Sequence, residues 1–272
     1  MPGGRRTSRP AARPRHLVRP ELDSLTGSMP HSDHSSETLP PPVPIDLTQD
    51  LRNYWLKRAA QHTSDWYAGV PMSKFPEDLR VYEHLLWASR ANVVVEIGTQ
   101  FGGSALWFRD RLQTLEHYKR VRQTRVISID VSITAAREAL SAADPGYAET
   151  ITLIEADVQD PTLPDQVARH IPSEARCLVV EDSAHVYDTT WAALTGFARF
   201  VPAGGYFVVE DGCVDIDEMR LEDAWPRGVL PALERWLGTE EGSAFAVRRD
   251  LERYGMSCHP RGFLQRIAEA RT

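Results

Sequence analysis

Five short apolar runs constrain this chain more than any other feature: VVVEIG (93–98), RVISID (125–130), ITLIEAD (151–157), RCLVVED (176–182) and GYFVVED (205–211). Their apolar residues are continuous rather than alternating, which marks strands covered on both faces. Stretches of helical periodicity separate them, at roughly 103–114, 132–142, 161–170 and 186–200. Strand and helix repeated in this way predict an α/β fold with a doubly wound, mostly parallel sheet and right-handed crossovers. A helix near 227–237 and two further strand candidates, SAFAVRRD (243–250) and GFLQRIA (262–268), bring the sheet to seven strands. Upstream, LRNYWLKRAAQHTSDWY (51–67) and EDLRVYEHLLWASR (77–90) have helical spacing and form an N-terminal helical extension. The GVPMSKFP between them (69–76) reads as a loop.

Residues 1–48 differ in kind. Six arginines and no acid fall in the first twenty positions, and nine of the nineteen prolines precede position 45. Such a segment buries too little apolar surface to offset its ordering entropy, so 1–48 is expected to be a disordered tail and 49–272 the folded domain. Arg5-Arg6 is followed by no apolar segment, so a twin-arginine signal is rejected. Met29 is a second candidate start.

The net charge of −7 argues against nucleic acid as the main partner, since phosphate binding needs a basic surface. No apolar run is long enough to span a membrane. Cys177, Cys213 and Cys258 form no CxxC pair, which fits reduced thiols and a cytoplasmic location.

In an open α/β sheet, ligands bind beyond the carboxyl ends of the strands. Acids mark each of those ends here: Glu96, Asp130, Asp157, Glu181-Asp182 and Glu210-Asp211. After the first run, EIGTQFGGSALWF (96–108) supplies Gly98, Gly102 and Gly103 for tight turns and close ligand approach. It is neither GxGxxG nor a P-loop, and its glutamate is ill-suited to a pyrophosphate. An adenosine ligand with an amino-acid tail fits better, with Glu96 toward an ammonium, Asp130 toward ribose hydroxyls and Asp157 near the adenine. That combination points to S-adenosylmethionine. The acids of the fourth and fifth strands, neighbours in such a sheet, would repel one another unless a cation compensates. Hard oxygen ligands suit Mg²⁺, and no Cys/His grouping suggests zinc.

EIGTQFGGSALWF, VVEDSAHVYD (179–188), FVPAGGYFVVEDG (200–212) and SCHPRGFLQRI (257–267) together resemble the cephalosporin hydroxylase / rhamnosyl O-methyltransferase family, over about 75–267. The resemblance implies a class I (Rossmann-like) methyltransferase dependent on S-adenosylmethionine and Mg²⁺, of the kind that methylates deoxysugars in antibiotic biosynthesis. It implies metal ligands at Asp182, Glu210 and Asp211. It implies cofactor contacts at Glu96, Gly98, Thr99, Gly102, Ser104, Asp130, Asp157 and Asp182. His185 takes the place of a general base, with Asp182 beside it in the catalytic set, and an imidazole suits that task. His185 capping the following helix is the alternative. Glu181 and His259 are read as structural. Trp66, Tyr67, Phe75 and Trp225 are guesses for an acceptor pocket. The implied partner is a small glycosylated natural product, and a homo-oligomer is compatible with the resemblance.

Methylation of a catechol-type diol uses the same metal logic on a flatter acceptor. A noncatalytic cofactor-binding partner of a separate oxygenase is the reading from another class. A nicotinamide dehydrogenase has the wrong glycine pattern. The chain also lacks a 2-His-1-carboxylate cluster for iron-dependent hydroxylation.

Overall fold

Every residue of β3 (Val93–Ile97) and β6 (Cys177–Glu181) is buried, because helices cover both faces of the sheet they occupy. The computed structural model describes residues 46–267. The expected tail lies outside them, except for 46–48.

In chain order the described residues form α1 (Leu51–His62), a two-residue hairpin of β1 (Trp66–Tyr67) and β2 (Val70–Pro71), α2 (Pro76–Ser89), β3, α3 (Gly103–His117), β4 (Arg125–Asp130), α4 (Thr134–Ala143), β5 (Ile151–Glu155), α5 (Leu163–Ala168), β6, α6 (Tyr187–Phe197), β7 (Tyr206–Val209), α7 (Val229–Leu237), β8 (Phe245–Val247) and β9 (Phe263–Arg266). The seven-stranded sheet runs β5-β4-β3-β6-β7-β9-β8. β3 to β7 are mutually parallel, and β9 runs antiparallel to both β7 and β8. This is the predicted doubly wound, mostly parallel architecture.

The strand order reverses between β3 and β6, one side going to β4 and β5, the other to β7. Such a switch point opens a crevice at the carboxyl edge. One face of the sheet packs Val94, Val180 and Val208 against Leu85 and Leu86 of α2 and Phe108 and Leu112 of α3. The other packs Val95, Val179 and Val209 against Leu194 and Phe197 of α6 and Leu233 and Trp236 of α7. Period-two alternation along the strands assigns each side chain to one of these two layers.

The structure corrects several boundaries. Four of the five strand runs end short of their expected last residue: β3 at Ile97, β5 at Glu155, β6 at Glu181 and β7 at Val209. One further amide bonds across at each of these ends before the chain turns away. GVPMSKFP is not wholly loop, since Val70–Pro71 pairs with Trp66–Tyr67.

Candidate active site

Register explains why two strands end on paired acids. Ile97 lies opposite Glu181, and Glu181 opposite Val209. One rung further, the amide of Asp182 donates to Ile97 O at 2.8 Å and that of Glu210 to Glu181 O at 2.9 Å. Asp182 and Glu210 therefore share a rung and face the α2/α3 layer. Glu181, one residue earlier, faces the opposite layer. There it accepts hydrogen bonds from the Ser183 hydroxyl, the Ser183 amide (3.2 Å) and the Thr190 hydroxyl (3.4 Å), in keeping with a structural role.

A buried lysine stands between the two paired acids that face α2. Lys74, only 3% exposed, places Nζ 2.5 Å from Asp182 Oδ2 and 2.6 Å from Glu210 Oε2. Tyr82 donates its hydroxyl to Glu210 Oε1 at 2.5 Å. Burial pushes the tyrosine's pKa well up, and the Glu210 charge adds to the shift, so it remains a phenol and a donor. Burial opposes charge on Lys74, yet Asp182, Glu210 and Glu96 outweigh that and raise its pKa, keeping it an ammonium. Asp182 is pushed up by burial and by Glu210, with Lys74 pulling the other way.

Asp211 begins the turn after β7 at φ 55°, a left-handed conformation, and its carboxylate swings toward β6. His185, also left-handed at φ 53°, sets Nε2 3.2 Å from Asp211 Oδ2 and 3.9 Å from Asp182 Oδ1. Oxygens of Asp182 and Asp211 and a ring nitrogen of His185 all fall within 4.8 Å of one another. His185 does not cap α6, whose N-cap residue is Val186. Burial pushes Asp211 up, but His185, His259, His62 and Lys74 prevail and hold it below the usual carboxylate range.

His259, expected to be merely structural, belongs to this cluster. Its Nδ1 accepts the Asp211 amide at 3.2 Å, and its Nε2 lies 3.5 Å from Asp78 Oδ2 and 3.7 Å from Glu210 Oε2. Asp78 in turn accepts the Cys258 amide at 3.0 Å. Lys74, Tyr82, Asp78 and His62 were missed. Each lies in the helical extension, far in sequence from the strand ends, so no spacing rule links it to them. The only local signal was a lysine and an aspartate bracketing a proline, Lys74 to Asp78.

The glycine loop meets the backbone of β6 at the residue that carries the first of these carboxylates. A Cβ on Gly98 would sit 1.8 Å from Asp182 O, and Gly98 has φ +108°. Only glycine lets β3 pass this close to β6. Gly102, at φ +85°, opens α3 against Leu140, and Ser104 is buried in its first turn. Asp130 Oδ2 accepts the amides of Thr99 (3.0 Å) and Gln100 (2.9 Å), and thus fixes the loop. Glu96 is not at a strand tip, as expected, but inside β3 and fully buried. Its Oε2 accepts the Ser128 hydroxyl at 2.5 Å, Ser128 is 2.7 Å from the Thr99 hydroxyl, and its Oε1 has no hydrogen-bond partner. Burial pushes its pKa up, and Lys74, Ser104 and Ser128 oppose this. Asp157 is exposed beyond β5 and accepts the Gln159 amide at 2.9 Å, apart from the carboxylate cluster.

Of the pocket aromatics, Trp225 alone is seen against the cluster: its ring lies 6.1 Å from that of His185, and its Nε1 donates to His185 O at 3.4 Å. Phe75 is core, stacked on Trp55 and His62. Trp66 is exposed, and Tyr67 donates to Asp110.

The donor set fits a hard divalent cation: three carboxylates converge at one end of the sheet, two of them within reach of one ion. The unpartnered Oε1 of Glu96 and the glycine loop at the switch point fit a small ligand with hydrogen-bond donors.

The chain is similar to several known proteins. The rhamnosyl O-methyltransferase of Mycobacterium tuberculosis (strain ATCC 25618 / H37Rv) is 24% identical over 228 residues, covering 82% of this chain and 86% of that protein. The protein of the same description from Mycobacterium leprae (strain TN) is 25% identical over 167 residues, covering 61% and 67%. A CmcI structure described with Mg and SAM matches with a TM-score of 0.55 at 21% identity, covering 96% of this chain and 88% of that one. Another described with SAH gives 0.51 at 19%, covering 96% and 95%. At that identity the structures speak to the fold, a class I methyltransferase sheet. The model of the Rhamnosyl O-methyltransferase/CmcI family matches residues 59–267, and the chain belongs to that family.

Proposed function

We propose that this protein is an S-adenosylmethionine-dependent O-methyltransferase acting, with Mg²⁺, on a hydroxyl of a deoxysugar carried by a small natural product. One observation carries the reading: Asp182, Asp211 and His185 converge where the glycine loop of β3 touches the end of β6. Relatives described as rhamnosyl O-methyltransferases and a CmcI structure described with Mg and SAM support it.

The cofactor supplies an activated sulfonium methyl, and the ion supplies positive charge that makes a neighbouring hydroxyl more acidic. The chain supplies the rest. Gly98, Thr99, Gly102 and Ser104 shape the loop at the switch point, with Asp130 holding it. Glu96 offers a buried acceptor, and Asp157 lies farther out on the same edge. Asp182 and Asp211 would hold the ion, with Glu210, bonded here to Lys74 and Tyr82, beside them on the same rung as Asp182. His185 takes the hydroxyl proton at its imidazole, and the carboxylates 3.2 and 3.9 Å from Nε2 stabilise the imidazolium. Trp225 lines the acceptor side beside it.

Transfer of labelled methyl from S-adenosylmethionine to rhamnosyl-type and catechol-type acceptors, with and without EDTA, tests the reading. Sugar methylation abolished by EDTA is expected. Unchanged rates in EDTA remove the metal role, preference for a catechol reassigns the acceptor, and tight cofactor binding without turnover on any diol favours a noncatalytic partner.

A further inference from the structure

Lys74 is placed where no surface or packing demand explains it. A primary amine is almost never buried without charged partners. This one is 3% exposed and bonds two separate carboxylates, Asp182 at the end of β6 and Glu210 after β7. Its backbone belongs to neither strand. It sits between β2 and α2, and the close approach of Gly103 to Pro71 O and the Met72 Cβ seats that segment against the start of α3.

The charges account for the arrangement. Asp182, Glu210 and Asp211 bring three negative charges to one edge. Lys74 offsets part of that charge from within the chain, and a divalent ion at Asp182 and Asp211 would offset more of it. Its amine occupies Asp182 Oδ2 and Glu210 Oε2, while Asp182 Oδ1 and the Asp211 carboxylate remain turned toward His185. The lysine and an ion can therefore meet at Asp182, one oxygen each, with Asp211 completing the ion's side and Glu210, whose other oxygen takes the Tyr82 hydroxyl, on the lysine's.

We infer that Lys74 is a built-in counter-cation that holds Asp182 and Glu210 together before the metal arrives and completes the neutralisation of the loaded site. It is a positioning residue. This rests on the metal reading given above, and it assigns to the chain itself a share of the charge that the ion was expected to balance alone.

The test is thermal unfolding of the full chain in EDTA and in Mg²⁺ or Mn²⁺, for wild type, Lys74→Met and the double variant Lys74→Met/Asp182→Asn. Without metal, Lys74→Met leaves adjacent buried carboxylates uncompensated, and Tm should fall by roughly ten degrees. Metal should restore most of that loss, so the gap between metal-free and metal-loaded Tm widens relative to wild type. Recovery of folded Lys74→Met only when metal is present is the same result in stronger form. The double variant, neutral at both positions, should regain much of the metal-free Tm while binding metal more weakly. An unchanged metal-free Tm overturns the inference. So does a loss that metal restores no better than in wild type and that Asp182→Asn does not repair, for that would be the signature of a packing residue. A wild type whose Tm ignores both metals overturns the metal reading, and this inference with it. A responsive wild type without the variant effects overturns the inference alone.

Discussion

His185 and Asp211 approach to 3.2 Å, Nε2 to Oδ2, and both reach that contact from left-handed backbone, at φ 53° and 55°. For residues with a Cβ such geometry costs of order 1–3 kcal/mol and persists where surrounding structure enforces it. Each residue is anchored nearby: Asp182, three positions before His185, through Ile97 O, and the Asp211 amide through His259. The strain thus aims two side chains from different strand ends at one point.

Replacing the imidazole should separate chemistry from folding. Asparagine tolerates left-handed backbone well, so His185→Asn should keep the unfolding free energy within about 1 kcal/mol of wild type. Methyl transfer should drop by roughly 10²–10⁴-fold if His185 is the base. Cofactor affinity, measured by calorimetry, should hardly change. Retained turnover would remove His185 from the chemistry.

Gly98 is the point where the glycine loop presses on the backbone of Asp182. Gly98→Ala drives a Cβ to 1.8 Å from Asp182 O at φ +108°. One of two backbones must move. The expected loss is roughly 3 kcal/mol or more of stability, with cofactor and metal binding weakened together. A variant with wild-type Tm would mean that β3 and β6 are less tightly apposed than described.

The pH dependence of stability should single out Asp211. Its pKa in the folded protein is depressed, by His185, His259, His62 and Lys74 acting against burial. A depressed carboxyl stabilises fully above its ordinary value, near 3.9, and loses that contribution as pH falls through the lower folded value. Asp211→Asn should therefore be less stable than wild type near neutral pH, and the difference should narrow as the pH falls below the ordinary carboxyl range. The comparison is made in EDTA, so that metal binding does not enter. A gap that widens toward acid would show the opposite shift.

Deleting residues 1–45 should leave the domain intact. Among the described residues, 46–267 carry three apolar clusters and a seven-stranded sheet. The composition of 1–45 is too poor in apolar residues to add a core of its own, so Tm should change by less than about 2 °C. A larger fall would show that the N-terminal segment packs on the domain.

The sheet was legible in the chain because burial on both faces leaves a local trace, an unbroken apolar run flanked by helical periodicity. The same reasoning brought Glu181-Asp182 and Glu210-Asp211 to one edge, since parallel strands share it whatever the loops do, while the choice of Asp182, Glu210 and Asp211 among those acids came from the family resemblance. Boundaries were less legible: β7 stops at Val209 rather than at the acids, because pairing yields to the turn that carries Asp211.

What folding alone decided is which groups meet those acids. Alternation sends Glu181 to one layer and Asp182 to the other, but the register with β7 had to be seen to show that Asp182 and Glu210 share a rung. Lys74 is separated from Glu210 by 136 positions and His259 from Asp211 by 48. Local pattern constrains backbone conformation and burial. The pairing of charges across such separations depends on how α2 and the C-terminal strands pack over the sheet, and a buried cation is chosen there by the carboxylates it neutralises.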